Sequence, residues 1–173
     1  MAVVNSFPIL QVVGFQNSGK TTFIERVLAS APKELKVGCL KHHGHGGEPD
    51  PFSEGKDSER LLAAGADITA VEGAGVLQLT VRRKWDLTRL IGLYGFLGTD
   101  CLLIEGFKRE PYPKIVMIKN KEEWQKLRQL ERVIAVVCRN MELAAAQPGL
   151  PVFHADDPAA VTFVLSQLKG ESA

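Results

Sequence analysis

The sequence has little excess charge of either sign. Its 21 Lys and Arg stand against 20 Asp and Glu, leaving +1 at neutral pH. A general nucleic-acid binder carries a large basic surplus against phosphate, so that class is not expected, although a local basic patch stays open. Long hydrophobic runs are also missing. The longest, such as Ile9 to Phe15, are about seven residues, far short of the ~20 that span a bilayer. The N-terminal MAVVNSFPIL lacks the basic stretch of a signal peptide. Cysteines are few: three, each in a short apolar run (VGCL, DCLLI, AVVC), with no pair at zinc-knuckle spacing. They read as reduced thiols buried in strands, in a soluble cytoplasmic protein. No linker and no repeat breaks the chain. With 45% apolar and 24% charged residues it is neither disordered nor fibrous, and its 173 residues suit a single domain over 1–173.

What is present is an alternation of short β-rich runs and amphipathic stretches. Ile9 to Val13, Val37 to Leu40, Cys101 to Ile104, Ile115 to Ile118, Val133 to Val137 and Val152 to His154 read as strands. Between them, Lys20 to Ala31, Asp57 or Ser58 to Ala64, Leu87 to Tyr94 and Glu122 to Leu130 read as helices, followed by a C-terminal one opened by Asp157-Pro158. The uniformly apolar CLLI and VIAVV suit parallel strands buried on both faces. The expected fold is therefore α/β, with a mostly parallel sheet flanked by helices. Ile68 to Val71 and Val76 to Val81 flank Glu72-Gly73-Ala74-Gly75 and break the alternation. They predict an antiparallel hairpin added at the sheet edge, half exposed and open to pairing with a second subunit.

The strongest motif is Gly14-Phe15-Gln16-Asn17-Ser18-Gly19-Lys20-Thr21, which matches G-x-x-x-x-G-K-[ST] between a strand and a helix. Glycines let successive backbone N–H groups curl toward one anion, and the helix adds its positive end. Lys20 reaches the β and γ phosphates, and the Thr21 hydroxyl suits Mg²⁺, a cation that prefers oxygen. A second carboxylate is expected where a buried strand ends, and Glu105 stands there. It reads as a magnesium-water ligand or water-positioning group, or as an ordinary strand-end carboxylate. A guanine-reading N-K-x-D is absent; Asn120-Lys121-Glu122-Glu123 is a near miss that reads as a solvated helix start. Lys41-His42-His43-Gly44-His45 follows the second strand and opens a long irregular segment. Anion contact, a zinc or nickel site, and a solvated loop are its three readings.

Taken in order, GFQNSGKT, LKHHGH, GKDSERLLAAGAD and CLLIEGFKREPYPKI resemble the successive motifs of the molybdopterin-guanine dinucleotide biosynthesis protein B family. The resemblance runs from about Ile9 to Ile118 and weakens in the tail. It implies a dimeric GTP-binding adapter, with GTP and Mg²⁺ as cofactors and at most weak GTPase activity. Such an adapter assists the guanylyltransferase that attaches GMP to molybdopterin. By motif, Gly14, Asn17, Ser18, Gly19, Lys20, Thr21 and Thr22 would hold phosphate and metal, with Thr21 and Glu105 on Mg²⁺. Glu105 and Asp57 would be the catalytic carboxylates. Lys41, His42, His45, Lys56 and Asp57 would line the same mouth, completed by Glu105, Gly106 and Lys108. The family pattern departs after His45, where His-Gly-Gly-Glu-Pro-Asp leaves Glu48 and Asp50 without an assigned role. It departs again after Val137, where Cys-Arg-Asn stands in place of Ser-Asp and base recognition is left open.

Two other classes compete. A small phosphate-loop kinase needs arginines in a lid, and residues 42–56 contain none. A metal-insertion GTPase would use the histidines, but the cysteines are not clustered near them. The cations Lys41, His42, His45, Lys56, Lys108 and Arg109 are expected to form an anion site for molybdopterin or its guanine dinucleotide.

Overall fold

The computed structural model describes residues 7–44, 57–140 and 149–170. Its elements are β1 (Ile9–Gly14), α1 (Lys20–Ser30), β2 (Val37–Lys41), α2 (Asp57–Ala63), β3 (Ile68–Gly73), β4 (Val76–Val81), α3 (Leu87–Phe96), β5 (Cys101–Glu105), β6 (Lys114–Ile118), α4 (Lys121–Leu127), β7 (Val133–Cys138), β8 (Val152–His154) and α5 (Pro158–Leu168). The chain divides into two compact units, Met1–Gly44 with Ile91–Ala173, and His45–Leu90.

The first unit holds a six-stranded sheet in the order β2-β5-β1-β6-β7-β8. Every neighbouring pair in it is parallel. Side chains alternate across a strand, and here both alternations are apolar. Leu10, Val12, Ile115, Met117, Ala135 and Val137 join α1 and α5 in one core through Phe23, Val27, Val164 and Leu168. Val13, Val116, Ile118, Val136 and Cys138 meet Leu127 of α4 on the other face. That double cover explains why β6 is buried along its whole length, as β5 also is.

Three helices, α3, α4 and α5, begin where short polar side chains satisfy free N–H groups of the first turn. Asp86 Oδ1 accepts from Arg89 N at 2.8 Å, Asn120 Oδ1 from Glu123 N at 2.9 Å, and Asp157 Oδ1 from Ala159 N at 2.8 Å. Among the described residues no helix is long and apolar enough to cross a membrane.

The α/β fold and the hairpin are as expected, but the hairpin does not extend the main sheet. β3 and β4 form a separate two-stranded sheet, closed by Ala74 and Gly75, both at positive φ. This is the conformation a two-residue turn needs to follow the strand twist. The cysteines also differ from expectation. All three are free thiols in strands, with Cys101 and Cys138 buried, but Cys39 is exposed on β2 at the sheet edge. Burial, helped by Asp100, pushes the Cys101 thiol up to about 11, which keeps it protonated and unreactive.

Candidate functional site

β1 lies between β5 and β6. From it the chain crosses to β2 on one side, and the later strands β6 to β8 build the other. Ligands of open α/β sheets bind at the carboxyl ends of strands around such a reversal. The phosphate loop occupies that place. Asn17 (φ 58°) and Gly19 (φ 86°) take left-handed backbone, winding the segment over the start of α1. Gly19 caps α1 without a side-chain hydrogen bond, so the first turn keeps free donors for an anion. Ser18 is buried, whereas Thr21 and Thr22 are exposed.

Lys20 folds back over the loop. Its Nζ donates to Phe15 O at 2.7 Å and Ser18 Oγ at 3.4 Å. Burial holds its ammonium below the ordinary lysine range; Glu105 opposes that shift, while Lys108 and Lys41 add to it. A half-buried cation bonded only to neutral oxygens gains from an arriving anion.

The β2–β5 register sets Lys41 beside Glu105. Thr21 Oγ1 donates to Glu105 Oε2 at 3.0 Å. Lys41 Nζ lies 3.7 Å from Glu105 Oε1 and 3.5 Å from Thr21 Oγ1. Glu105 is 9% exposed, so this hydroxyl, carboxylate and ammonium form a compact group at the mouth. Two adjacent oxygen donors, one of them anionic, suit a hard divalent cation.

The segment after Glu105 is shaped by a residue the motifs do not mark. Gln11, fully buried in β1, donates from Nε2 to Gly106 O at 2.9 Å and Phe107 O at 2.6 Å. Its Oε1 has no partner among the described residues. Gly106 and Phe107 are both at positive φ (99° and 52°), so the amide ties down a turn that unaided backbone disfavours for Phe107. The turn places Lys108 Nζ 4.3 Å from the centre of the Phe15 ring, and Phe107 against the His42 ring at 4.2 Å. His42 N also donates to Glu105 O at 2.9 Å.

Of the predicted residues, Gly14, Asn17, Ser18, Gly19, Lys20, Thr21, Thr22, Lys41, His42, Glu105 and Lys108 thus lie around one mouth. Arg109 follows Lys108 and is exposed. His45 and Lys56, with Glu48 and Asp50, lie outside the described residues. Asp57 begins α2 in the other unit, where its carboxylate meets Arg60 at 3.1 Å. Among the described residues no group of three or more His, Cys, Asp or Glu is placed to hold a metal. The Asn120 run is a helix start, as read, but it is not wholly solvated. Glu123 is buried, accepting from Lys119 N at 2.9 Å and pairing with Lys119 Nζ at 3.1 Å.

Behind the phosphate loop lies a small recess, lined by Ser18, Gly19, Thr22, Met117, Arg139 and Asp156 among others. Arg26 closes one side. Its guanidinium donates to Ala155 O and, at 3.0 Å, to Asp156 O. No local pattern in the sequence marks Arg26 or Asp156. Arg139 is marked in the sequence only by the Cys-Arg-Asn that follows β7.

Residues 9–139 match the family model described as molybdopterin guanine dinucleotide synthesis protein B. The "Probable molybdopterin-guanine dinucleotide biosynthesis adapter protein" of Bacillus subtilis is 67% identical, with 100% of both chains covered. The corresponding adapter protein of Haemophilus influenzae is 31% identical over 80% of this chain and 78% of its own. Among solved structures, "The Crystal structure of Bacillus subtilis MobB" superposes with a TM-score of 0.85 at 67% identity, covering 95% of this chain and 100% of that one. A MobB homolog from Bacillus stearothermophilus gives 0.73 at 33% identity, covering 94% and 98%.

Proposed function

The chain belongs to the molybdopterin guanine dinucleotide synthesis protein B family, and on that premise we propose that it is an adapter of that biosynthesis which binds GTP with Mg²⁺. The observation that carries the nucleotide reading is the Lys20 ammonium. It is drawn back onto neutral loop oxygens, partly desolvated, beside an uncapped helix start. Phosphate would replace the Phe15 carbonyl as its partner. Thr21 and Glu105 would hold Mg²⁺, which supplies charge neutralisation between phosphate oxygens. Lys41, already in contact with both residues, orients the Glu105 carboxylate.

Hydrolysis is slow in this reading. The cations that act on Lys20 and Glu105 are lysines, which meet phosphate as point charges; an arginine finger is worth ~10³–10⁵ in rate. The work is then holding GTP and a pterin phosphate near a guanylyltransferase. Lys41, His42, Lys108 and Arg109 form the described part of the surface for that second anion.

The test is calorimetric titration with GTP–Mg²⁺ and with molybdopterin guanine dinucleotide, alongside guanylyltransferase turnover with and without the protein. Both ligands should bind, and turnover should rise. Lys108→Ala with Arg109→Ala should weaken the pterin ligand by roughly ten-fold, as expected for lost charge-assisted contacts, with a shallower salt dependence and GTP affinity nearly intact. Unchanged pterin affinity at low and high salt would reduce the cluster to a solvated rim.

A homodimer through the hairpin is part of the same proposal. Ile68, Leu77 and Leu79, on one face of the hairpin, are 50%, 58% and 44% exposed, on strands whose outer edges pair with no other described strand. A second copy would satisfy both the apolar row and the edge. Sedimentation at micromolar concentration should give twice the 18.9 kDa chain mass. Replacing Leu77 and Leu79 with Lys should return the monomer, and a parent that is monomeric with and without nucleotide contradicts the proposal.

A further inference from the structure

β5 and β6 run parallel on either side of β1, yet only residues 106–113 join them. A parallel crossover ordinarily takes a dozen residues or more and carries a helix, which satisfies its own carbonyls. This strap has no helix. Its own turns supply two backbone donors, Glu110 N to Phe107 O and Tyr112 N to Glu110 O. The other donors must come from outside it.

The sheet beneath provides them. Gln11 of β1 and Lys114 of β6 are register partners, 0% and 1% exposed, on the face opposite Leu10 and Val12. At one end of the strap, Gln11 Nε2 holds Gly106 O and Phe107 O. At the other, Lys114 Nζ donates to Glu110 O at 2.5 Å and Tyr112 O at 2.8 Å. Burying two such groups in a parallel sheet costs desolvation, which their bonds to the strap offset. Between the two holds stands Lys108, its Nζ over the ring of Phe15 in the phosphate loop. Glu105 is held differently, by the pairing of β5 with β1 and β2.

We propose that Gln11 is a positioning residue for the second anion: with Lys114 it brackets the strap and so keeps Lys108 and Arg109 at the mouth beside the phosphate loop. The role rests on the pterin-phosphate reading of those cations given above. The bracket acts on the second anion and spares the nucleotide, because Lys20, Thr21 and Glu105 stand on the phosphate loop, α1 and β5, none of which hangs from the strap.

The experiment compares the parent with Gln11→Met, which fills a similar volume without a donor. Calorimetry with GTP–Mg²⁺ at saturation should show affinity for molybdopterin guanine dinucleotide reduced roughly ten-fold, the loss expected for Lys108→Ala with Arg109→Ala. GTP–Mg²⁺ affinity should match the parent's, which also shows that the variant is folded. Added to the Lys108→Ala, Arg109→Ala background, Gln11→Met should cost nothing further, since a residue that acts through those cations then has none to place. A second readout needs no ligand. The Lys108 side-chain protons over the Phe15 ring should resonate upfield in the parent and return to exposed-lysine positions in Gln11→Met. Gln11→Asn keeps the amide but is one methylene too short to reach both carbonyls; it should behave as Gln11→Met, and it replaces that variant if Gln11→Met does not fold. Parental pterin affinity, an unmoved Lys108 resonance, an equal fall in GTP–Mg²⁺ affinity, or a loss that persists in the Lys108→Ala, Arg109→Ala background each overturns the positioning role and leaves the pterin reading standing. A parent that binds GTP–Mg²⁺ but not the dinucleotide overturns the reading and the role together.

Discussion

Lys20→Ala should lower GTP affinity by roughly ten- to hundred-fold, the equivalent of the ~1.5–3 kcal/mol carried by a charge-assisted hydrogen bond. The domain should nevertheless fold. Lys20 contributes only two bonds to neutral oxygens of its own loop, and burial already penalises its charge. Removing it relieves that cost, while the apolar anchors of α1, Phe23, Ile24 and Val27, stay in place. Calorimetry with Mg²⁺ present checks the affinity, and a thermal melt close to the parent's checks the fold. Parental affinity in this variant would falsify the phosphate-loop reading.

Gly14→Ala should cost stability as well as binding. A Cβ at this position would lie 2.5 Å from Ser18 Oγ and 2.6 Å from the backbone oxygen of Met117. The serine can rotate, but the carbonyl belongs to β6, which pairs with β1 at this level. Strand and phosphate loop must therefore part. Overpacking of this kind costs about 1–3 kcal/mol, a fall in melting temperature of roughly 2–12 °C for a chain of this size. Gly73→Ala is the control, since no atom lies within 4 Å of the Cβ it would add. Equal melting curves for the two variants would show that the Gly14 contact has slack.

These two residues were legible in the sequence because the phosphate loop is local. Its glycines, lysine and threonine lie within eight positions, between a strand and a helix that each have a clear period. Glu105 was legible for a similar reason, as the polar end of a buried run. Gln11 and Arg26 were not, because their partners stand 95 and 129 residues away. A glutamine inside ILQVV is an oddity in sequence, and only the fold shows which carbonyls it holds. The recess was missed for the same reason. Its walls come from three strand ends that only the strand order brings together, and the Asn120 amide is already committed to capping α4. The hairpin's alternation was readable, but the covering of its faces was not. Val76 and Leu77 point to opposite faces, yet both are exposed.

The strand order also governs how the chain assembles as it is synthesised. β1 is flanked by β5 and β6, and β2 by β5 alone. No strand of the main sheet can find a native neighbour until residues 101–105 have emerged, by which time some hundred residues precede them. Among the described strands, the one pair able to close earlier is the β3–β4 hairpin, whose strands lie side by side in sequence. Synthesis thus yields an independent ribbon first and the nucleotide scaffold late, through long-range parallel pairings that are intrinsically slow. Until then the apolar runs of β1 and β2 stay without their native strand partners and open to wrong pairings.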